Sequence, residues 1–510
     1  MHTDGTTQFV YIALQYSGIQ KVILRHDRLW SISGLSQILS AMNEIDLPAY
    51  TRKYGGQDLL SGGGKFDAKF SSKKNASLAL NEIKKTLATT LPMLEFQVSA
   101  IVTASSFMDA KDRLTADLAK NKMHFRGYGV SFNPHFSECS ECGEYPATSG
   151  LEIKGNKVCQ TCFIAYENSR NIAGIGETEG LTSIQKILKS YIERDPNALD
   201  QRQVPLDFDN IFSSDHADKK GKRMAVWFSD INNMGQKIPL WLYQTDDEII
   251  KIFETVREKY ITTISNALKK TFNSKEGNYY PFRIIITGGD DLCIVMDERY
   301  ILDFALQYSK EVEAVSSNVN VFNIENLQQI ENQRAAEFKY EPKIMQPYNF
   351  GSAFVITSIH TPFRRIHEIG EGLLKEAKSK SARLCNSIHW KVLAEDEEPA
   401  SDRVVKFEKP LFIDTSSGQK SEIQDYLTLT QYNLLRSRYS RISHSHIQQI
   451  VSLMIRYNNN SLEVERALKI LDSTEKEKSF SGLLVDDSFR KDGKFDCSRV
   501  ATLFELMSIG

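Results

Sequence analysis

The sequence carries little surplus charge: 63 Lys and Arg stand against 65 Asp and Glu, a net of −2. That excludes an overall positive field for holding nucleic acid, so any such contact must come from local basic patches. Apolar runs of the ~18 residues that a membrane helix needs are missing, so no membrane partner is expected. The opening Met-His-Thr-Asp-Gly-Thr-Thr lacks a basic and an apolar segment, so no secretory signal is read and a cytoplasmic location is expected. Cysteine is sparse and odd in number, seven in 510 residues, which argues against a disulfide framework. A chain of this length is too long for one core, and three or four domains are expected.

What is present is a duplicated pattern. Phe9-Val-Tyr-Ile-Ala-Leu14 reads as a strand, residues 34–44 as a helix, Asp58 to Phe66 as strand, glycine turn, strand. A helix at residues 76–90 and a strand at Glu95 to Thr103 complete β-α-β-β-α-β. The order recurs after residue 220, with strands at Met224 to Ser229, Arg283 to Thr287, Leu292 to Met296 and Gly351 to Thr357. Helical stretches at 246–272 and 298–315 lie between them. The fold class expected is α+β: two ferredoxin-like palm domains, the first degenerate and the second catalytic, with a zinc-ribbon insert and a C-terminal helical domain. The boundaries expected are 1–130 for the first palm, 131–165 for the ribbon and 166–220 for a helical linker. The catalytic palm takes 221–395 and the helical domain 396–510.

The second hairpin carries Gly288-Gly-Asp-Asp291 at its tip. Two carboxylates side by side repel unless a cation lies between them or one is protonated. Gly288 and Gly289 leave space for a triphosphate to approach the backbone. In this fold the first strand lies beside the hairpin, so Asp230 at its end joins the pair. Asp230, Asp290 and Asp291 can then hold two Mg²⁺ (or Mn²⁺) ions against a nucleoside triphosphate. Asp297, beyond the strand, is expected to be dispensable. The N-terminal half has Gln15, Tyr16, Gly64 and Lys65 at the corresponding places and cannot hold metal in that way.

Cys139-x2-Cys142 and Cys159-x2-Cys162, sixteen residues apart, have the spacing of a zinc ribbon. Four thiolates close a tetrahedral shell, so one structural Zn²⁺ is expected, with roughly 10–16 kcal/mol of apparent binding energy to fold a small insert. Cys293, Cys385 and Cys497 have no such spacing.

Ser17-Gly-Ile-Gln20, Ser61-Gly-Gly-Gly-Lys-Phe66, Ser229-Asp-Ile-Asn-Asn-Met-Gly235, Gly288-Gly-Asp-Asp291 and Leu373-Leu-Lys-Glu-Ala-Lys378 occur in a telling order. It resembles that of the large palm-domain subunit of type III CRISPR effector complexes. The resemblance implies synthesis of cyclic oligoadenylate, or a related adenylate, from ATP when the complex binds target RNA. It also implies guide RNA and other type III effector subunits as partners. Lys378 would contact the triphosphate, on a helix begun by Thr361 as N-cap and Pro362. Ser229, Asn232, Asn233 and His360 complete the expected nucleotide site with Gly288 and Gly289. Many members carry an N-terminal HD nuclease domain. Here the first strand starts about eight residues in, and His26-Asp27 lacks further ligands, so a variant without that domain is expected.

Two other readings are open. One is a catalytically silent assembly subunit of the same complex. The other is an autonomous cyclase of the diguanylate type, although the turn continues with Leu292 rather than Phe. Arg436, Arg438, Arg441 and Arg456, beside Tyr432, Tyr439 and Tyr457, are expected to form a basic, aromatic surface for RNA or a neighbouring subunit.

Overall fold

The structure, a computed structural model, describes residues 8–24, 27–91, 94–124, 137–170, 180–193, 202–212, 223–273, 277–393, 411–414, 428–439, 444–457, 460–474, 483, 486–491, 494–507 and 509. Arg441, His26 and the acidic stretch at 394–402 lie outside the described residues.

Two sheets of the same strand order organise the chain. The first is built from β1 (Phe9–Ser17), β2 (Gly56–Gly62), β3 (Lys65–Phe70), β4 (Glu95–Val98) and β5 (Val102–Ala104). Its order is β2-β3-β1-β4, with β5 also on β1. The strand expected from Glu95 to Thr103 is thus broken in two. Ser99 sits at the break, where its hydroxyl accepts from the Ala13 amide at 2.8 Å. Helices α1 (Ile19–Ile23), α2 (Leu29–Ala41), α3 (Leu47–Lys53), α4 (Lys73–Thr90) and α5 (Phe107–His124) flank this sheet. Two short strands, β6 (Glu152–Ile153) and β7 (Asn156–Lys157), and helix α6 (Gln160–Arg170) follow, then α7 (Ser183–Ile192).

The second sheet contains β8 (Arg223–Ile231), β9 (Phe282–Gly288), β10 (Asp291–Asp297), β11 (Phe350–Ser358), β12 (Asn386–Val392) and β13 (Leu411–Asp414). Its order is β13-β12-β11-β8-β10-β9. Strands β11, β8, β10 and β9 therefore repeat the arrangement of β4, β1, β3 and β2. Helices α8 (Met234–Trp241), α9 (Asp246–Thr271), α10 (Ile301–Asn318), α11 (Ile324–Phe338) and α12 (Phe363–Lys380) connect them. Helix α9 starts with a capping box, in which Thr245 and Glu248 satisfy each other's backbone groups. Helix α11 has no counterpart among the described residues of the first half. Beyond β13, which extends the second sheet where helix was expected, come α13 (Leu429–Arg438), α14 (His444–Arg456) and α15 (Ser461–Thr474), then a final helix, Cys497–Met507. No helix among the described residues is long and apolar enough to cross a membrane.

The halves share a core: Trp30, Ile32 and Leu35 of α2 cluster with Val226, Phe228 and Cys293 of the second sheet. Polar ties supplement it. The Asp246 carboxylate, at the start of α9, accepts from the Tyr11 hydroxyl at 2.8 Å and the Phe107 amide at 3.0 Å, with Lys69 at 2.9 Å. Arg283 of β9 is buried and donates to the Pro205 carbonyl, the Ser33 hydroxyl and the Ser169 carbonyl at the end of α6. Burial pulls its pKa down to about 9.

Candidate active site

Strand pairing brings the acidic residues together. β8 and β10 run antiparallel, with Asp291 opposite Asp230 and Cys293 opposite Phe228. The Ile231 amide donates to the Asp290 carbonyl at 3.3 Å, and the Tyr260 hydroxyl of α9 donates to the Asp291 carbonyl at 2.7 Å. One oxygen from each of Asp230, Asp290 and Asp291 falls within 4.8 Å of the others. Burial first, then the Asp230 charge, raises the Asp290 pKa to about 6. Burial followed by the charges of Asp290 and Asp230 raises Asp291 to about 7. This is a hard-oxygen set with excess negative charge, and its chemistry fits Mg²⁺ or Mn²⁺.

Alternation along the strands decides which neighbours reach the triad. Asp230, Phe228 and Val226 share the face covered by α12, whereas Ser229 and Trp227 face the opposite core. Ser229 is buried beside Tyr308 of α10. The expected nucleotide contact from its side chain is therefore corrected: it packs beneath the sheet. On the α12 face, Lys378 is buried and its ammonium pairs with the Asp230 carboxylate.

His360 is the second correction. β11 pairs with β8 from Gly351, opposite Asp230, to Ser358, opposite Arg223. Seven strand steps of about 3.4 Å separate those ends, so exposed His360 lies about 24 Å along the sheet from the triad and does not face it. Helix α12 then runs back along the sheet, which is how Lys378 returns to the site. Thr361 does not cap α12. Its hydroxyl meets that of Thr357 at 2.6 Å, and the Phe363 amide instead donates to the Asp27 carboxylate at 2.9 Å. Asp27 thus contributes a helix cap from the first half of the chain.

Asn232 is fully buried, and its amide donates to the Asn349 side-chain oxygen at 2.6 Å. Asn233 adopts a left-handed φ of 61° at the start of α8. Its side chain donates to the Arg383 carbonyl at 3.2 Å, as does that of Asn349 at 3.3 Å. Gly289, at φ 68°, needs the freedom of glycine and also close approach. A Cβ there would stand 3.4 Å from the Gly63 Cα, so the turns of the two halves abut. In the first half Gln15 pairs with Lys65, the place taken by Asp230 and Asp291 in the second.

Sequence reasoning missed Asn349, Tyr260, Gly351, Arg383 and Glu371. The Glu371 charge adds to those raising Asp291, and its carboxylate lies 3.8 Å from the His367 ring nitrogen. Glu371 had a readable signal: it is seven residues before Lys378, two turns along one helix face.

The four cysteines also converge, with one sulfur from each within 4.8 Å of the others. Cys142 and Cys159 sulfurs are 3.9 Å apart and unbonded. A tetrahedral zinc with Zn–S of about 2.3 Å has sulfur edges of about 3.8 Å, so the set fits Zn²⁺. Hydrogen bonds from the Cys159 and Cys162 thiols favour the thiolate at Cys142.

Several of the C-terminal Arg and Tyr residues make contacts within the chain. Tyr432 is buried, Arg436 donates to the Ile509 carbonyl at 2.7 Å, and Asp486 takes both Arg438 at 2.7 Å and Tyr439 at 2.8 Å. Four of the seven residues expected to form a basic, aromatic surface thus make internal contacts, while Arg438 and Arg456 are exposed.

No protein-family model matches the chain, and no curated protein matches it in sequence. Solved structures do. A crystal structure of Csm1 in T.onnurineus is 12% identical, with a TM-score of 0.55 over 98% of this chain and 69% of that one. A Csm1-Csm4 cassette in complex with cA3 is 13% identical, with a TM-score of 0.52 over 100% of this chain and 71% of that one. The cassette in complex with AMPPNP is 14% identical, with a TM-score of 0.51 over 99% and 70%. Along its whole described course the chain thus has the fold of Csm1, and its structure resembles the large subunit of the type III CRISPR complexes that its motifs resemble.

Proposed function

We propose that this chain is a metal-dependent nucleotidyltransferase that makes cyclic oligoadenylate, or a related adenylate, from ATP within a type III CRISPR effector complex. The observation that carries the reading is the convergence of Asp230, Asp290 and Asp291 within 4.8 Å. A fold with no use for these carboxylates would gain by losing their repulsion. Two Mg²⁺ or Mn²⁺ ions on them would supply the charge that activates a 3′-hydroxyl and stabilises departing pyrophosphate. Lys378 pairs with Asp230 and is positioned to turn to a phosphate. Gly288 leaves the turn open to the nucleotide, and Gly289 lets it pack against Gly63. Asn232 and Asn233 fix the loop after Asp230, so their part in the site is to shape it.

Crystallised Csm1-Csm4 cassettes in complex with cA3 and with AMPPNP share this fold. They support ATP as substrate and another type III subunit as partner. Guide RNA and target RNA follow from the same reading, with synthesis switched on by target binding. The test is to incubate the assembled complex with labelled ATP or GTP, with and without matching target RNA. Target RNA should raise adenylate product at least about tenfold, a shift of about 1.4 kcal/mol. Product from the chain alone, indifferent to RNA, would favour an autonomous cyclase. No product under any condition would favour a silent assembly subunit.

A further inference from the structure

Arg283 sits on β9, five residues before Gly288 of the acidic turn, and is 2% exposed. A buried guanidinium is costly to desolvate, and an apolar residue of similar size would pack there at lower cost. What the arginine adds is a planar fork of donors that reaches several acceptors at once. Three bonds leave that fork: to the Pro205 carbonyl at 2.9 Å, the Ser33 hydroxyl at 2.8 Å and the Ser169 carbonyl at 3.2 Å. The acceptors belong to the segment before β8, to α2 and to α6. The catalytic hairpin is thus held at its base by three separate parts of the chain.

Helix α6 is anchored at both ends. Its first turn carries Cys162, three residues after Cys159, and both sulfurs belong to the four-thiol cluster. Near its other end the Ser169 carbonyl is held by Arg283. Between them α6 lies backbone to backbone on α2, since a Cβ on Gly34 would overlap the Ala165 carbonyl. The cluster, α6 and α2 therefore form one packed support for β9. Between Arg283 and the turn, the strand ladder is interrupted. Ile284 pairs with Ile294 and Ile286 with Cys293, which leaves Ile285 as an extra residue. A bulge bends its strand and loosens the local pairing, so the aim of the tip depends on what fixes the strand below it. That fixed point is Arg283. A metal site needs its ligands placed to within about 0.5 Å, so a small change in aim is enough to weaken it.

Resting on the metal-site reading above, we propose that Arg283 is a positioning residue that couples the zinc cluster to the metal affinity of the acidic turn. Loss of zinc loosens α6, frees Arg283 and lets the hairpin tip swing away from Asp230. Mn²⁺ binding to the full chain, followed by electron paramagnetic resonance, reads this without turnover, with zinc content measured on the same samples. Arg283→Met should keep about one zinc per chain. It should bind Mn²⁺ at least about tenfold more weakly, the scale on which support around a site tunes metal affinity. Arg283→Lys, which reaches fewer of the acceptors, should recover part of the loss. Cys159→Ser should weaken Mn²⁺ binding in the native background but hardly further beside Arg283→Met, since the two act through one contact. A merely structural role gives independent losses, so additivity overturns the coupling, as does unchanged Mn²⁺ affinity in Arg283→Met. If Arg283→Met does not fold, Ser33→Ala, which removes a single acceptor, takes its place. Mn²⁺ affinity should then fall about threefold with zinc retained, and unchanged affinity overturns the coupling while leaving the acidic site standing. Native protein that binds no Mn²⁺, or whose binding survives Asp290→Ala with Asp291→Ala, overturns the acidic site and the coupling together.

Discussion

The side chain of Lys378 lies flat across Gly351. A Cβ on Gly351 would stand 2.4 Å from the Lys378 Cγ and 3.1 Å from its Cε. Gly351 pairs in register with Asp230, so the lysine crosses one strand to reach a carboxylate on the next. Gly351→Ala should therefore displace Lys378 and lower nucleotide joining at least about tenfold, or about 1.4 kcal/mol. In a Lys378→Ala background the same change should add little, since the two act through one contact. Rates of the two single variants and the double variant check this.

Asp290→Ala combined with Asp291→Ala should abolish nucleotide joining, by more than about a hundredfold or 2.7 kcal/mol. The fold should survive, because these carboxylates repel one another. Asp230→Ala should behave similarly. Labelled-ATP turnover, together with circular dichroism, separates lost chemistry from lost structure.

Metal-free protein should lose stability as pH rises through about 6 and then about 7, the folded values of Asp290 and Asp291. Both lie above an ordinary carboxylate, so between pH ~4 and those values the native state binds protons that the unfolded chain does not. Their contribution is present at the acid end of that window and vanishes as the native carboxylates ionise. Mg²⁺ competes with those protons and should bind progressively better over the same rise. Melting temperature against pH, with and without Mg²⁺, should show the slope in native protein and its loss in the Asp290→Ala, Asp291→Ala variant.

Purified protein should hold about one zinc per chain. Cys159→Ser should remove it and loosen α6, whose terminal Ser169 carbonyl is held by Arg283 at 3.2 Å. Elemental analysis and limited proteolysis within α6 read the two effects separately. Native protein without zinc, prepared free of chelator, would overturn the assignment.

Asp297, expected from sequence to be dispensable, is 3% exposed and takes a two-pronged contact from Arg299, at 3.0 Å from its Nε to either carboxylate oxygen. Asp297→Ala should cost about 1–3 kcal/mol of stability by leaving that geometry unmade. Turnover per folded molecule should stay as in native protein, since the residue lies at the end of β10 away from the triad. Chemical denaturation and active-fraction-corrected rates test both halves of this.

The acid turn, the paired cysteines and the repeated strand–helix order were legible because each is local. Gly288 to Asp291 lie at one hairpin tip, Cys139 and Cys142 are a turn apart, and strand alternation shows within a few residues. Asp230 joined them because one topology fixes where the first strand ends. What tertiary structure alone decided was register and direction over long separations. Ser229 and His360 belong to segments that reach the site, yet pleat alternation turns Ser229 beneath the sheet and β11 carries His360 to its far end. Asp27, Asn349, Gly351 and Arg383 act across more than a hundred residues or through a backbone carbonyl, and no spacing in the sequence marks such partners. Their roles exist only once two strands are in register and a helix folds back over them. Local chemistry is written in neighbouring residues, while the positioning of that chemistry is a property of packing.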